Sequence, residues 1–273
     1  MLIRIGFDIL FDVPAAAPMV LMLYTHPSRE RDLQAPETLT IDPPGAPQDF
    51  IDGFGNRCAR IVAPAGQLRL RSDAVIADSG ELDPVNLEAK QLPVEALPVD
   101  VLPFLLASRY CEVDRMSDFA WNLFGQTPPG WARVQTICDW AHAQLIFGYE
   151  YARSTRSAYE ACEEGKGVCR DFTHLAVTMC RCMNIPARYV TGYLGDIGVP
   201  ADPAPMDFSA WFEAYLDNRW YTFDPRHNQR RIGRVVMARG RDAVDVALTT
   251  SFGPTKLQKF TVWTEEKMEN GKG

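Results

Sequence analysis

A change in hydrophobic period near residue 98 constrains the fold of this chain more than any other feature of its sequence. Ahead of it, apolar residues come in short runs cut by proline and glycine. Ile3, Ile5, Phe7 and Ile9 alternate with period two, as do Leu68 and Leu70 with Arg69 and Arg71; further apolar runs lie at 19–24 and 56–62. A period of two puts every second side chain on one face of an extended chain, the pattern of a half-buried strand. The breakers Asp42-Pro43-Pro44-Gly45 and Ala63-Pro64-Ala65-Gly66 separate the runs. Residues 1–98 therefore predict a small antiparallel β-sandwich, with the proline-bearing stretch 81–98 as its linker.

From residue 99 to 273 the period lengthens to that of a helix. Trp131, Val134, Cys138, Ala141 and Leu145 recur at steps of three and four, behind a shorter helix expected at 115–124. A third helix begins at Cys169. Phe172, Leu175, Ala176, Met179, Cys180 and Met183 form its unbroken apolar face, and Asn184-Ile185-Pro186 stops it. Strands are expected afterwards at 187–193, 208–216, 219–224, 234–237 and 260–263. Residues 267–273 are polar and expected to fray. Helices packed on an antiparallel sheet, behind a β-sandwich, make the chain α+β.

The net charge of −7, with no run of one sign, argues against a nucleic-acid or anionic-membrane surface. No apolar stretch approaches the ~20 residues needed to span a bilayer. The first residues enter a strand pattern without the basic start of a signal peptide. Seven scattered cysteines, an odd number, read as reduced thiols in a cytoplasmic protein. The histidines lack metal-ligand spacing and no cofactor fingerprint is present. The arginines between 226 and 241 read as a solvated face paired with Asp242 and Asp245.

Cys169 carries the chemical signal. Unpaired N–H groups in a helix's first turn favour an anion, so a thiol there is drawn toward its thiolate and a carbonyl oxyanion finds donors. The bland alternative is a small buried hydrophobe. A thiol nucleophile needs a base, and the base an orienting partner. Asp217-Asn218 reads as a two-residue hairpin turn. Pairing Leu216 with Arg219 sets Trp211 opposite Asp224 and Ser209 opposite Arg226, so Ser209 and Asp224 lie diagonally on one face.

Three motifs, in order, resemble the bacterial transglutaminase-like family. They are residues 167–175 with 184–193 (the nucleophile helix and following strand), residues 207–216, and residues 220–225. The resemblance implies a papain-like core behind an N-terminal sandwich, a Cys-His-Asp triad, and acyl transfer or hydrolysis at a carboxamide or peptide carbonyl of a protein or peptide. It implies Cys169 as nucleophile and Asp224 as orienting acid. At the family's usual histidine this sequence has Ser209, whose hydroxyl has no protonation change near neutral pH. Of the four histidines, His227 follows the acid by three residues and is the substitute candidate, because Pro225 breaks strand parity. His174 lies on the wrong side of its helix, His142 reads as a core or interface residue, and His26 lies in the other half. Without an imidazole, the helix terminus and Arg170 would have to hold the thiolate. Two function classes follow: a thiol enzyme, or a degenerate binding module that has lost its base.

Overall fold

The computed structural model describes residues 1–267, so of the polar end expected to fray only Lys267 is among the described residues. The first half contributes β1 (Leu2–Val13), β2 (Ala17–Leu21), β3 (Thr40–Asp42), β4 (Gln48–Ile51), β5 (Arg57–Ala63) and β6 (Gly66–Ala77). The second contributes α1 (Val113–Phe124), α2 (Trp131–Gln144), β7 (Ile146–Phe147), α3 (Ala158–Glu164), β8 (Lys166–Gly167), α4 (Cys169–Cys182), β9 (Ala187–Tyr193), β10 (Ser209–Leu216), β11 (Arg219–Phe223), β12 (Val235–Gly240), β13 (Thr249–Ser251) and β14 (Lys256–Glu266). The α+β class read from the sequence is the class observed. No helix among the described residues is long and apolar enough to cross a membrane.

Two four-stranded sheets, β14-β1-β6-β3 and β13-β2-β5-β4, share one apolar core. The alternation of β1 sends Ile3, Ile5, Phe7 and Ile9 into it, against Met19, Leu21 and Ile61 of the other sheet. A boundary at residue 98 with every C-terminal strand beyond it is not what the sheets show. β14 pairs along β1, from Ile3 with Glu266 to Asp12 with Lys256, and β13 pairs with β2. The reason is the length of β1: with β6 on one side only, its other edge would present a row of open N–H and C=O groups. β14 fills that edge and buries Val262 and Thr264. A chain ending at residue 248 is thus expected to be unfolded or insoluble. Wild-type circular dichroism and solubility of that truncation would contradict this account.

The stretch 81–98 is no free tether. Asp83 pairs with Arg234 at 3.0 Å, Asn86 donates to the Tyr221 hydroxyl at 2.9 Å, and the Ala89 carbonyl accepts the Trp131 N–H at 2.9 Å. Its prolines deny it a ladder, and its polar groups are satisfied by the core instead.

That core is the sheet β11-β10-β9-β12 with α4 packed across it. From Asp171 to Cys182 every residue of α4 is buried, with Phe172, Leu175 and Met179 against Ala187, Phe212 and Leu216. α1, α2 and α3 cover its other sides. The apolar face expected from Cys169 onward is therefore the centre of the domain, and its first turn is fixed in place by the packing of the rest.

Candidate active site

Cys169 occupies the first position of α4 and is half-buried. The chain reaches it through a tight approach. Asp171 turns back so that its carboxylate accepts the Val168 N–H at 2.9 Å, and Arg156 locks that carboxylate at 3.0 Å. A Cβ on Gly167 would lie 2.6 Å from the Asp171 Cβ, so the glycine here is a steric requirement. The side chain of Asp171 thus takes one orphan donor at the helix entry, while the N–H of Arg170 points to the Cys169 sulfur.

The hairpin follows the expected register from Leu216–Arg219 to Phe212–Phe223. Asp217 and Asn218 both have positive φ, 48° and 62°, as its two-residue turn requires. The ladder ends there. Pro225 cannot donate to a strand partner, so Trp211 does not pair with Asp224, nor Ser209 with Arg226. Instead the chain coils tightly: the Asn228 N–H donates to the Asp224 carbonyl at 2.8 Å, and Asn228 takes a positive φ of 49°. This coil folds His227 back over the acid. Its Nδ1 lies 2.9 Å from Asp224 Oδ2.

Asp224 is buried and fully occupied. One oxygen accepts the N–H groups of Arg226 at 3.1 Å and His227 at 3.0 Å; the other accepts His227 Nδ1 and the Arg234 guanidinium at 2.9 Å. Burial alone would raise its pKa, but Arg234 and His227 hold it well below the ordinary carboxylate range. A carboxylate only accepts, so His227 Nδ1 carries the proton of that hydrogen bond. The opposite ring nitrogen, Nε2, is left as the basic one.

Cys169, Ser209 and His227 line the same narrow open cavity, of about 80 Å³, with Asp224 behind the imidazole. The sequence placed Cys169, Ser209 and Asp224 near one another; the proline-directed coil adds His227. One electrostatic expectation is reversed. Burial, and next the Asp207 carboxylate, push the Cys169 thiol up to about 12 against the N–H groups of Ala210 and Arg170. The helix terminus is the weaker influence, and the resting group is a thiol. Arg170 does not assist it, because its guanidinium bonds the Ser154 carbonyl at 2.8 Å and lies over Tyr110.

The other histidines are accounted for. His174 is wholly buried between Tyr110 and Tyr189, accepts the Ala243 N–H at 3.1 Å, and is driven well below its ordinary pKa by burial. His26 caps a 3-10 turn beside Arg239. His142, expected in a core or interface, is exposed on α2, and its Nδ1 meets the Pro225 carbonyl at 3.0 Å, bracing the coil that carries His227. The arginines do not form one solvated face. Arg231 and Arg234 are buried on Asp196 and Asp83, Arg239 pairs with Glu213, and only Arg241 with Asp245 follows the expectation. Asp242 instead accepts the Tyr110 N–H at 2.8 Å.

Among the cavity residues given no role by the sequence, Asp207 just ahead of β10 and Tyr149 beyond β7 interact with the Cys169 thiol. Asp207 opens the motif at 207–216 without a role assigned to it, and Tyr149 belongs to no motif. Only the fold brings them beside Cys169.

The arrangement of thiol, imidazole and carboxylate on a helix start and an antiparallel hairpin is that of a thiol-enzyme core. Residues 118–225 match the sequence profile of the transglutaminase-like superfamily. The matched segment holds Cys169, Ser209 and Asp224 and ends two residues before His227. A candidate cysteine protease from Cytophaga hutchinsonii superposes with a TM-score of 0.85 at 29% identity, over 99% of this chain and 92% of that one. An uncharacterized protein of Mycobacterium leprae is 32% identical over 117 residues, which span 42% of each chain. One from Mycobacterium tuberculosis is 28% identical over 231 residues, covering 76% of this chain and 73% of the relative.

Proposed function

We propose that the protein is a cysteine-dependent hydrolase or acyltransferase acting on a carboxamide or peptide carbonyl of a protein or peptide, with Cys169 as nucleophile, His227 as base and Asp224 as orienting acid. The observation that carries this reading is the 2.9 Å contact of His227 Nδ1 with Asp224 Oδ2, at the wall of the cavity that Cys169 lines. It supports an altered triad in which the imidazole has moved from position 209 to position 227.

The chemistry follows from the protonation states. Because the resting sulfur is a thiol, His227 Nε2 must take its proton as the sulfur attacks the carbonyl carbon. The new C–S bond leaves an oxyanion facing the first N–H groups of α4. Collapse breaks the C–N bond, the imidazolium protonates the leaving amine, and a thioester remains. Water or an amine, deprotonated by His227, then releases the acyl group and restores the thiol. Hydrolysis and transamidation share these steps and differ only in the acceptor. The reading carries with it a reducing cytoplasmic setting, which the free thiols of all seven cysteines support.

Ser209 and the raised thiol favour a second reading, a binding module that keeps the cleft without turnover. A peptide fluoromethyl ketone separates the two. At pH 7 it should alkylate Cys169 in the folded protein and leave Cys169→Ala unmodified. An unlabelled folded wild type would leave only the binding module.

A further inference from the structure

Asp207 stands where a nucleophile is least helped by it. It lines the Cys169 cavity, its one described partner is the N–H of the next residue, Phe208, at 2.7 Å, and burial raises its pKa. Two other carboxylates line that cavity, and neither is among the charges that act on the Cys169 thiol. Asp196 receives Arg231 and the Asp202 N–H, and Asp202 receives the Ala204 N–H. A carboxylate beside a thiol opposes the thiolate, so the same arrangement becomes productive only when a positive charge arrives with the substrate. Aromatic rings in the same cavity suit such a charge. Phe147 and Tyr149 meet edge to face at 5.3 Å, and Phe147 already carries the Arg226 guanidinium 3.6 Å from its ring centre. Aromatic faces with a nearby carboxylate are the usual surroundings of a bound ammonium or guanidinium.

We propose that Asp207 is the specificity-determining residue of this site: it reads an ammonium or guanidinium on the substrate, and its neutralisation by that cation releases Cys169 for attack. The inference rests on the nucleophilic reading of Cys169 above and adds the class of molecule the site accepts. The cation belongs either to the acyl donor or to an amine acceptor; both present the same group to Asp207. The groups facing the thiol are Asp207, Asp224, Tyr149 and Tyr189, with His227 and Arg226 lining its cavity. Among them Asp207 is the carboxylate without a described cationic partner.

The test uses three methanethiosulfonates of similar size bearing 2-aminoethyl, 2-hydroxyethyl and 2-sulfonatoethyl groups, on the full chain at pH 7. In each, the Cys169 sulfur forms a disulfide with the thioalkyl group, methanesulfinate leaves, and the thiol proton goes to His227 and then to water. Cys169→Ala supplies the background of the other thiols. The wild type should react about tenfold faster with the ammonium reagent than with the sulfonate, which differs from it by two unit charges. Asp207→Asn should bring the two rates together and speed the neutral reagent. Asp207→Glu, which keeps the charge, should keep the preference and serves if the asparagine variant does not fold. Equal rates in the wild type, or an unchanged ratio in folded Asp207→Asn, would overturn the proposal. If reactivity still depends on His227 in that case, only the role of Asp207 is lost; no reaction at Cys169 with any reagent sinks the nucleophile itself. With the preference established, lysine against norleucine beside the reacting carboxamide, and added cadaverine, separate a donor cation from an acceptor amine.

Discussion

His227→Ala is expected to slow acylation of Cys169 by about 10²–10⁴-fold at pH 7, the usual contribution of a positioned general base. The loss should be this large because the resting sulfur is a thiol and its proton needs an acceptor. A cysteine already ionised by its helix terminus would tolerate the change. The informative experiment is the double variant. Ser209 lines the same cavity, and removing the imidazole frees the Asp224 oxygen that held it. Ser209→His in the His227→Ala background should therefore restore part of the rate, with a pH profile again governed by an imidazole. Single-turnover acylation by stopped flow reads both outcomes. A His227→Ala rate within twofold of the wild type would remove the base assignment and leave a thiol that reacts without an imidazole.

Asp224→Ala carries the largest expected effect on stability. It removes the partner of a buried guanidinium, since Arg234 reaches both Asp224 and Asp83 from a nearly closed position. Breaking a buried pair from one side costs about 3–5 kcal/mol, because the other charge stays desolvated. It also strands the N–H groups of Arg226 and His227 that the carboxylate accepts, so the coil holding the imidazole should loosen. Asp224→Asn keeps an acceptor and should cost less. The pH dependence has a definite sign. Asp224 has a folded pKa depressed below its ordinary 3.8, so its ionised form stabilises the fold above that value and the contribution is lost as pH falls below it. The stability gap between the wild type and Asp224→Asn, measured from urea midpoints, should therefore narrow from pH 7 toward pH 3. A gap that widened in acid would contradict the buried ion pair.

The elements around Cys169 were legible because local signals agreed there. Gly165 and Gly167, an apolar face from Phe172 to Met183 and a stop at Pro186 give a helix whose first residue is the thiol. The hairpin was legible for the same reason, with Asp217-Asn218 fixing the register of both strands. His227 was readable only as far as Pro225 signalled a break, since the coil's direction is set by Arg234 together with Asp83, which is distant in sequence. The reactivity of the thiol was misread because a helix terminus is visible in sequence, whereas Asp207, 38 positions away, is not. α3 escaped notice through shortness: the Ser157 and Glu160 capping pair was present, but seven residues are too few to show a period. The closing strands β13 and β14 were separated from their partners by the whole core built on α4, and no local pattern announces such a partnership.

That partnership dictates an order of events during synthesis. Ile3 pairs with Glu266, so the sandwich cannot finish its sheet until residues some 260 positions apart have met. Closing so long a loop is entropically dear and slow, and contacts this remote dominate the folding time of a chain. α4 and its sheet, by contrast, use neighbours within about seventy residues, Cys169 to Gly240, and can condense first. The thiol is then framed while the twelve residues of β1 still lack one partner. That interval exposes an apolar strand edge, the condition that recruits chaperones and seeds aggregation. Refolding from urea should accordingly show the core's tryptophan fluorescence settling before the sandwich protects its amides from exchange.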